Sequence, residues 1–465
     1  MNVNKLLVGL FIAAFILLLL PYLFRFSQGN TVFIGSEPHY HARIASFIRD
    51  NGMPEKDVFS DKKYLFNPYH FVLAGAGFIM PIEIASIAVP VILGLLSLLF
   101  FYRVLRNFKF SSQRSFFILF IFVFSPFFVS VFSLSTPRAL ALCLLFLGFY
   151  LFQKKSSVSF LFSLIILGIA SLCGFVHAVM ILIILGVYSF CMKKRFIRFY
   201  FAFTVVFLVF LFVYLPYYLF TGGFGLVLKS DLISEFGAIY GFGVFSLLLG
   251  IFGLFLVWVY KKRFYVVYLA GIGVVVSSFF VNDILIYSNI IICFFAGSAF
   301  YSLYVREWEL SDLRSFALLV IFCGLLFSVV SNAAVLGEMH PKNEFIDCLD
   351  WIGSNTPQAS YVFAHPADGF FIEFWAERPV LVDEFKVNKN LEDDFDLVWD
   401  SVDIKSTQDV LSRYSINYIL IHEDLFTGLV WDKKDRGLDL LLKNPETFKR
   451  RYANSYCEVW EFKGS

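Results

Sequence analysis

The chain has 465 residues, of which 59% are hydrophobic and 16% charged, and its formal net charge is +2. Soluble domains carry about 25% charged residues, so this composition excludes an ordinary soluble enzyme, and the small net charge gives no footing for nucleic-acid binding. Apolar runs near the ~20 residues that cross a bilayer recur through the first 331 residues. The chain therefore reads as a polytopic α-helical membrane protein.

Residues 5–24 form the first span. No small-residue cleavage site follows, so this span reads as a retained anchor rather than a signal peptide. A polar segment then runs from residue 24 to 83. Within it, Ser36 is placed to cap a helix, with Glu37 and Pro38 in its first turn, and Gly52 is placed to end it. Ile44, Ala45, Phe47 and Ile48 make an apolar stripe, which predicts a short amphipathic helix lying on the membrane surface. Glu37 and His41 stand one turn apart at its start. Residues 68–80 are apolar but too short to cross, and are expected to be interfacial or re-entrant.

Ten further spans are expected at 84–104, 113–132, 136–152, 157–173, 175–191, 196–220, 243–260, 264–281, 284–304 and 314–331, about eleven in all. Lys and Arg collect in alternate connections: Arg103, Arg106, Lys109 and Arg114; Lys154 and Lys155; Lys193, Lys194, Arg195 and Arg198; Lys261, Lys262 and Arg263; Arg306 and Arg314. Such loops face the cytoplasm. The N-terminus is then cytoplasmic in a plasma-membrane protein, while the 24–83 and 221–242 segments and the tail after 331 are external. From Met339 the apolar runs shorten to strand length at 361–364, 379–382 and 418–421, with helical patterns at 343–353 and 407–414. This predicts a membrane domain at 1–338 and a small external α/β domain at 339–465. The seven Cys show no CxxC or Cys/His ligand spacing, and Cys348 and Cys457 in the tail could pair with each other but are read as free thiols.

An acid after the first span, an aromatic, a His-Ala-Arg turn at 41–43, Asn51-Gly52 and a Pro-containing approach to the next span together resemble the first external loop of C-type membrane glycosyltransferases (GT-C). The pattern is most similar to the catalytic subunit of oligosaccharyltransferase. The tail from Trp351-Ile-Gly-Ser-Asn-Thr-Pro through Ala376-Glu-Arg-Pro-Val-Leu-Val-Asp383 resembles the external domain of many archaeal and bacterial members. Leu232-Ile-Ser-Glu235 resembles the family's TIxE motif, with Leu in place of Thr.

The resemblance implies transfer of a sugar from a polyprenyl-phosphate-linked donor in the bilayer to an external acceptor. It places Glu37 and Glu235 at the active site, as a general base or as oxygen ligands of Mg²⁺ or Mn²⁺. Asp231 and His41 are weaker companions on the acceptor side. Departures are equally specific. Where the family pattern has further acids after its third span, this chain has Pro137 and Arg138, and a guanidinium suits phosphate rather than metal. Arg138, with His177 near the outer end of its span, is therefore expected on the donor phosphate. Residues 282–289 lack the Arg the family carries near its tenth span. The acceptor-reading WWDYG motif falls on His365-Pro-Ala-Asp-Gly369, where Gly alone remains in register. These losses argue against oligosaccharyltransferase-like protein glycosylation. The remaining rivals are a non-catalytic member and a transporter of lipid-linked saccharides. A transporter predicts intramembrane charges and paired broken helices in two halves, and the sequence shows neither.

Overall fold

The computed structural model describes residues 3–59, 64–192, 196–215, 232–260, 265–385 and 389–464. Two compact units are present: residues 1–24 with 65–338, and residues 25–64 with 339–465. The segment read from sequence as the first external loop of the membrane domain thus groups with the tail.

The first unit is helical. Helix α1 covers Val3–Ser27 and α3 covers Pro68–Gly77, with Asn67 accepting from Tyr69 N at 3.0 Å. At ten residues α3 is about 15 Å long, half a bilayer core. Then come α4 (Ile82–Asn107), α5 (Ser112–Val123), α6 (Pro126–Ser133), α7 (Pro137–Phe152), α8 (Ser157–Ser171), α9 (Phe175–Met192) and α10 (Phe196–Val209). After them follow α11 (Val244–Val257), α12 (Tyr265–Ser277), α13 (Asn282–Val305) and α14 (Ser311–Glu338). Among the described residues each expected span carries apolar helix, and five helices are long enough to cross a bilayer alone.

The span expected at 113–132 is instead α5 and α6, bent by 65°. Pro126 has no N–H to continue the ladder. At the bend the Pro126 carbonyl accepts from Asn332 Nδ2 at 3.1 Å, and Asn332 also reaches Ser130 Oγ at 3.0 Å. Helix α13 sits centrally because small residues let backbones close in. A Cβ at Gly297 would lie 2.4 Å from the Ile118 Cα of α5.

The second unit holds α2 (Ser36–Asn51), which packs on residues 369–376, together with α15 (Asn343–Asn355), α16 (Lys389–Asp400), α17 (Ile404–Arg413) and a four-stranded sheet. The sheet is β1 (Tyr361–Phe363), β2 (Ile416–His422), β3 (Phe448–Ala453) and β4 (Cys457–Phe462), in the order β1-β2-β4-β3. β1 and β2 are parallel; the other pairs are antiparallel.

Four expectations are corrected here. Residues 379–382 form no strand, only a bridge from Val380 to Val362. β3 and β4 were not foreseen. The residue preceding α2 is Gly35, so Ser36 is its first helical residue rather than its cap. The buried side of α2, including His39, Ala42 and Ile44, packs on the 366–376 turn, with His39 edge-on to Phe371 at 4.9 Å, rather than lying on lipid.

Candidate active site

Glu37 stands in the first turn of α2, a quarter exposed, with His41 Nε2 3.4 Å from its Oε1. The helix is held by its own cation. Arg43 forks onto Asp57 at 2.7 and 2.9 Å, and its Nη2 lies 2.9 Å from Glu373 Oε2, a buried carboxylate on the 372–376 turn. Its guanidinium also lies over the Phe59 ring at 5.1 Å. Burial works against the charge on Arg43, but Glu373 and Asp57 outweigh it and raise its pKa. His39, behind Glu37, stacks on Phe33 at 4.0 Å and donates from Nδ1 to the Gly35 carbonyl at 2.6 Å. Burial drives His39 down to about 3, so it is neutral.

The sequence reading missed the acids that gather with Glu37. The strip Asp383-Glu384-Phe385 lies along α2, with Phe385 5.1 Å from the Tyr40 ring and 4.9 Å from Phe370. Gly369 permits this approach, since a Cβ there would lie 2.9 Å from Asp383 Cβ. That close contact explains the one residue left in register with the acceptor-reading motif. Asp383 is buried and accepts from Phe385 N at 2.7 Å. Glu384 stands at the rim. The surrounding protein pushes its carboxyl from 4.5 up to about 7, with a hydrogen bond to Ser36 opposing the rise and the carboxylates of Glu37, Asp383 and Asp368 adding to it. Asp368 in turn accepts from His422 Nε2 at 3.0 Å, both side chains buried. Burial opposes charge on His422, but Asp368 prevails and raises its pKa. A carboxyl whose pKa is raised toward neutrality beside other acids is the kind of group general acid–base chemistry uses.

The Cys348 and Cys457 thiols, expected free, are joined in a disulfide with Cα atoms 6.6 Å apart. Packing of α15 against β4 brings together residues 109 apart in sequence.

In the first unit, Arg138 begins α7 and Asp283 begins α13. Arg138 Nε donates to Asp283 Oδ1 at 2.7 Å and Nη1 to Tyr240 Oη at 3.3 Å, and the guanidinium lies 5.0 Å from the centre of the Tyr240 ring. Asp283 is thus the partner of the residue expected on the donor phosphate. His177 is buried on α9, its Nδ1 2.7 Å from the Tyr287 hydroxyl one turn beyond Asp283. Beside these groups α9, α12 and the start of α13 line an open-sided apolar cavity of about 440 Å³, with Val176, Val179, Ala270, Val274 and Ile284 among its walls.

Glu235 lies in a single turn, 234–236. Its Oε1 accepts from Val244 N, the first residue of α11, at 3.0 Å, and from the Ser328 hydroxyl of α14. Its Oε2 is buried and has no hydrogen-bond partner among the described residues. Asp231 and the glycine-rich part of the 221–242 segment up to it lie outside the described residues.

Glu37 and His41 belong to one unit, and Arg138, His177 and Glu235 to the other. Among the described residues no three His, Cys, Asp or Glu side chains are placed to hold a metal ion. Glu235 has committed one oxygen to a backbone N–H and a hydroxyl. Glu37 and Glu235, expected to share a Mg²⁺ or Mn²⁺ ion, fall in different units.

No protein-family model matches the chain, and no curated protein does. Solved structures match it over nearly its whole length. The archaeal oligosaccharyltransferase AglB from Archaeoglobus fulgidus, in complex with an inhibitory peptide and a dolichol-phosphate, superposes with a TM-score of 0.68 at 14% identity, covering 90% of this chain and 70% of its own. ArnT from Cupriavidus metallidurans, bound to undecaprenyl phosphate, gives 0.57 at 12% identity, covering 99% of this chain and 97% of its own. This chain has the GT-C fold. The GT-C fold places it among polytopic membrane proteins, in agreement with its apolar helices. At such identities the likeness is one of fold, so the chemistry must be argued from the side chains.

Proposed function

We propose that this GT-C protein is a membrane glycosyltransferase that moves a sugar from a polyprenyl-phosphate-linked donor to an external acceptor on a protein, lipid or glycan. Arg138 is the observation that carries the reading. It is a partly exposed guanidinium at a helix start, in a fold whose solved examples include one bound to undecaprenyl phosphate and one holding a dolichol-phosphate. Its partner Asp283 is followed directly by Ile284, which lines an apolar cavity suited to a polyprenyl chain. The Cys348–Cys457 disulfide supports an external tail, because such bonds persist in oxidising compartments. The basic connections on the opposite side support a cytoplasmic N-terminus.

In this reading Glu37 removes the proton from the acceptor hydroxyl as its oxygen attacks the anomeric carbon. The bond from that carbon to the donor's phosphate oxygen breaks, and the lipid phosphate leaves on Arg138. His41, one turn along, orients the Glu37 carboxylate. Asp368, in register with the acceptor-reading motif, is bound to His422, so nothing at 365–369 favours recognition of Asn sequons.

The test uses purified protein and a panel of polyprenyl-phosphate sugars. Glu37→Gln keeps size and most hydrogen bonding but cannot act as a base. Transfer should fall by about 10²–10⁴-fold with an unchanged melting midpoint. Full transfer by Glu37→Gln would remove Glu37 from the reaction.

A further inference from the structure

Helix α7 carries Arg138 in its first turn, and the connection that leaves its other end is basic. That connection, to α8, reads Gln153-Lys-Lys-Ser156. It is gripped from another helix. Arg198, in the first turn of α10, donates from Nη1 to the Lys154 carbonyl at 2.5 Å and from Nη2 to the Lys155 carbonyl at 2.7 Å. Its guanidinium also lies 5.1 Å from the centre of the Phe160 ring near the start of α8. The Lys154 ammonium lies 4.5 Å from the centre of the Tyr150 ring, and both lysines are exposed.

These bonds fix the guanidinium without cancelling its charge, because a backbone carbonyl is a dipole and not an anion. Further N–H donors of Arg198 remain for a ligand. Arg198 and the two lysines whose backbone it holds are thereby brought to one corner of the first unit. The start of α8, the positive end of a helix, adds to the same field. The orientation of membrane helices accounts for basic connections. It does not account for an arginine that grips the backbone of two lysines, which gathers like charges against their repulsion. An anion at this corner would answer all of them.

The surface beside the corner shows what carries that anion. α8 and α10 pack on one another, where a Cβ at Gly168 would lie 3.2 Å from Val205. From the cations onward both helices present exposed apolar side chains, Val158 and Leu161 on α8 and Ile197 and Phe201 on α10. A soluble anion makes no use of such a surface. A phospholipid uses both parts, with its phosphate on the cations and its acyl chains along α8 and α10.

We propose that Lys154, Lys155 and Arg198 form a binding site for the headgroup phosphate of an anionic phospholipid, which staples the α7–α8 connection to α10. The site lies within the first unit and is independent of the transfer reaction.

The experiment is competition between lipids on the detergent-solubilised full chain, read by native mass spectrometry. The probes are palmitoyl-oleoyl phosphatidylglycerol, which is anionic, and palmitoyl-oleoyl phosphatidylcholine, which has the same chains and no net charge. Wild type should retain the phosphatidylglycerol about tenfold over the phosphatidylcholine. Arg198→Gln should lower that ratio by about fivefold, the attraction of one cation at a membrane surface. Lys154→Gln/Lys155→Gln should bring it close to one. Arg306→Gln/Arg314→Gln removes as many charges from another basic connection and should leave the ratio within about twofold of wild type. If Arg198→Gln proves unfolded by its melting curve, the exposed lysine pair carries the test. No preference in wild type, or an unchanged ratio in the lysine variant, overturns the site. An equal fall in the Arg306/Arg314 variant overturns it too, in favour of diffuse attraction to the whole basic end. Glycerol 3-phosphate, a headgroup without chains, should not displace phosphatidylglycerol at equal concentration; displacement would assign the corner to a soluble phosphate ester and overturn the lipid.

Discussion

Two helices, α2 and α11, each have a glutamate at their start, and the two carboxylates are employed in opposite ways. Glu235 gives one oxygen to the first backbone N–H of α11 and to Ser328 of α14. It ties two membrane helices to the turn between them. Glu37 sits in the first turn of its own helix, keeps part of its surface open, and meets a long contact to His41 and a gathering of other acids. A carboxylate that satisfies backbone donors is part of the scaffold. One crowded by like charges at a solvent-facing edge is available for proton transfer. Position near a helix start does not distinguish them; the partners do.

The sharpest way to break this contrast is through the cation that holds α2. Replacing Arg43 by Met removes the counter-charge that Arg43 supplies to Asp57 and to Glu373, which is 1% exposed. Breaking a buried pair in this way costs about 3–5 kcal/mol. The unfolding midpoint should drop steeply for Arg43→Met and less for Arg43→Lys, which keeps charge but loses the fork. An unchanged midpoint would mean that α2 is anchored otherwise.

The next effect is at Glu235. Glu235→Ala should cost about 1–2 kcal/mol of stability, the usual loss for a helix-start acceptor, and leave transfer within a few-fold of wild type. Transfer lost by orders of magnitude at an unchanged midpoint would return Glu235 to the reaction.

The smallest effect is a pH dependence. The Glu384 carboxyl is raised from 4.5 to about 7, so the folded chain holds a proton there that the unfolded chain has released. Its contribution to stability is fully present below about pH 4.5 and is lost as pH rises through 7. The melting midpoint of wild type should therefore fall between about pH 5 and pH 8, and Glu384→Gln should flatten that part of the curve. A curve of unchanged slope would show that the acids beside Glu37 do not interact.

The spans were legible because length and apolarity are local properties, and so was α2, with its stripe at 44–48 and Gly52 after it. What the sequence hid depends on distant partners. Asp368, Asp383 and Glu384 lie more than 300 residues from Glu37, and Asp283 lies 145 residues from Arg138. No spacing rule reaches that far. β3 escaped because it is an edge strand reading Phe-Lys-Arg-Arg-Tyr-Ala, whose charges disguise the alternation expected of a strand. Arg450 pairs with Glu458 and Arg451 with Glu461 on the neighbouring β4, which is how an edge is kept from further pairing. The disulfide escaped for the opposite reason. Two lone cysteines carry no spacing signal, and only the contact of α15 with β4 unites them.

Arg25 has a consequence for how the molecule is made. This buried guanidinium donates to the carbonyls of Thr31, Met339 and Pro341, while Gly35 N donates to the His340 carbonyl at 2.9 Å and Asn343 exchanges hydrogen bonds with Asn30 and Thr31. The ribosome completes α2 early, yet the partners from the tail that seat it, among them Glu373, are encoded after the last membrane helix. During synthesis Glu37 therefore waits, displayed but unassembled, until the chain has threaded the intervening helices and delivered residues 339–343. A tail expressed alone would begin on the wrong side of this knot, with its seat for α2 empty. Supplied in trans, a peptide of residues 25–59 would have the means to fill it.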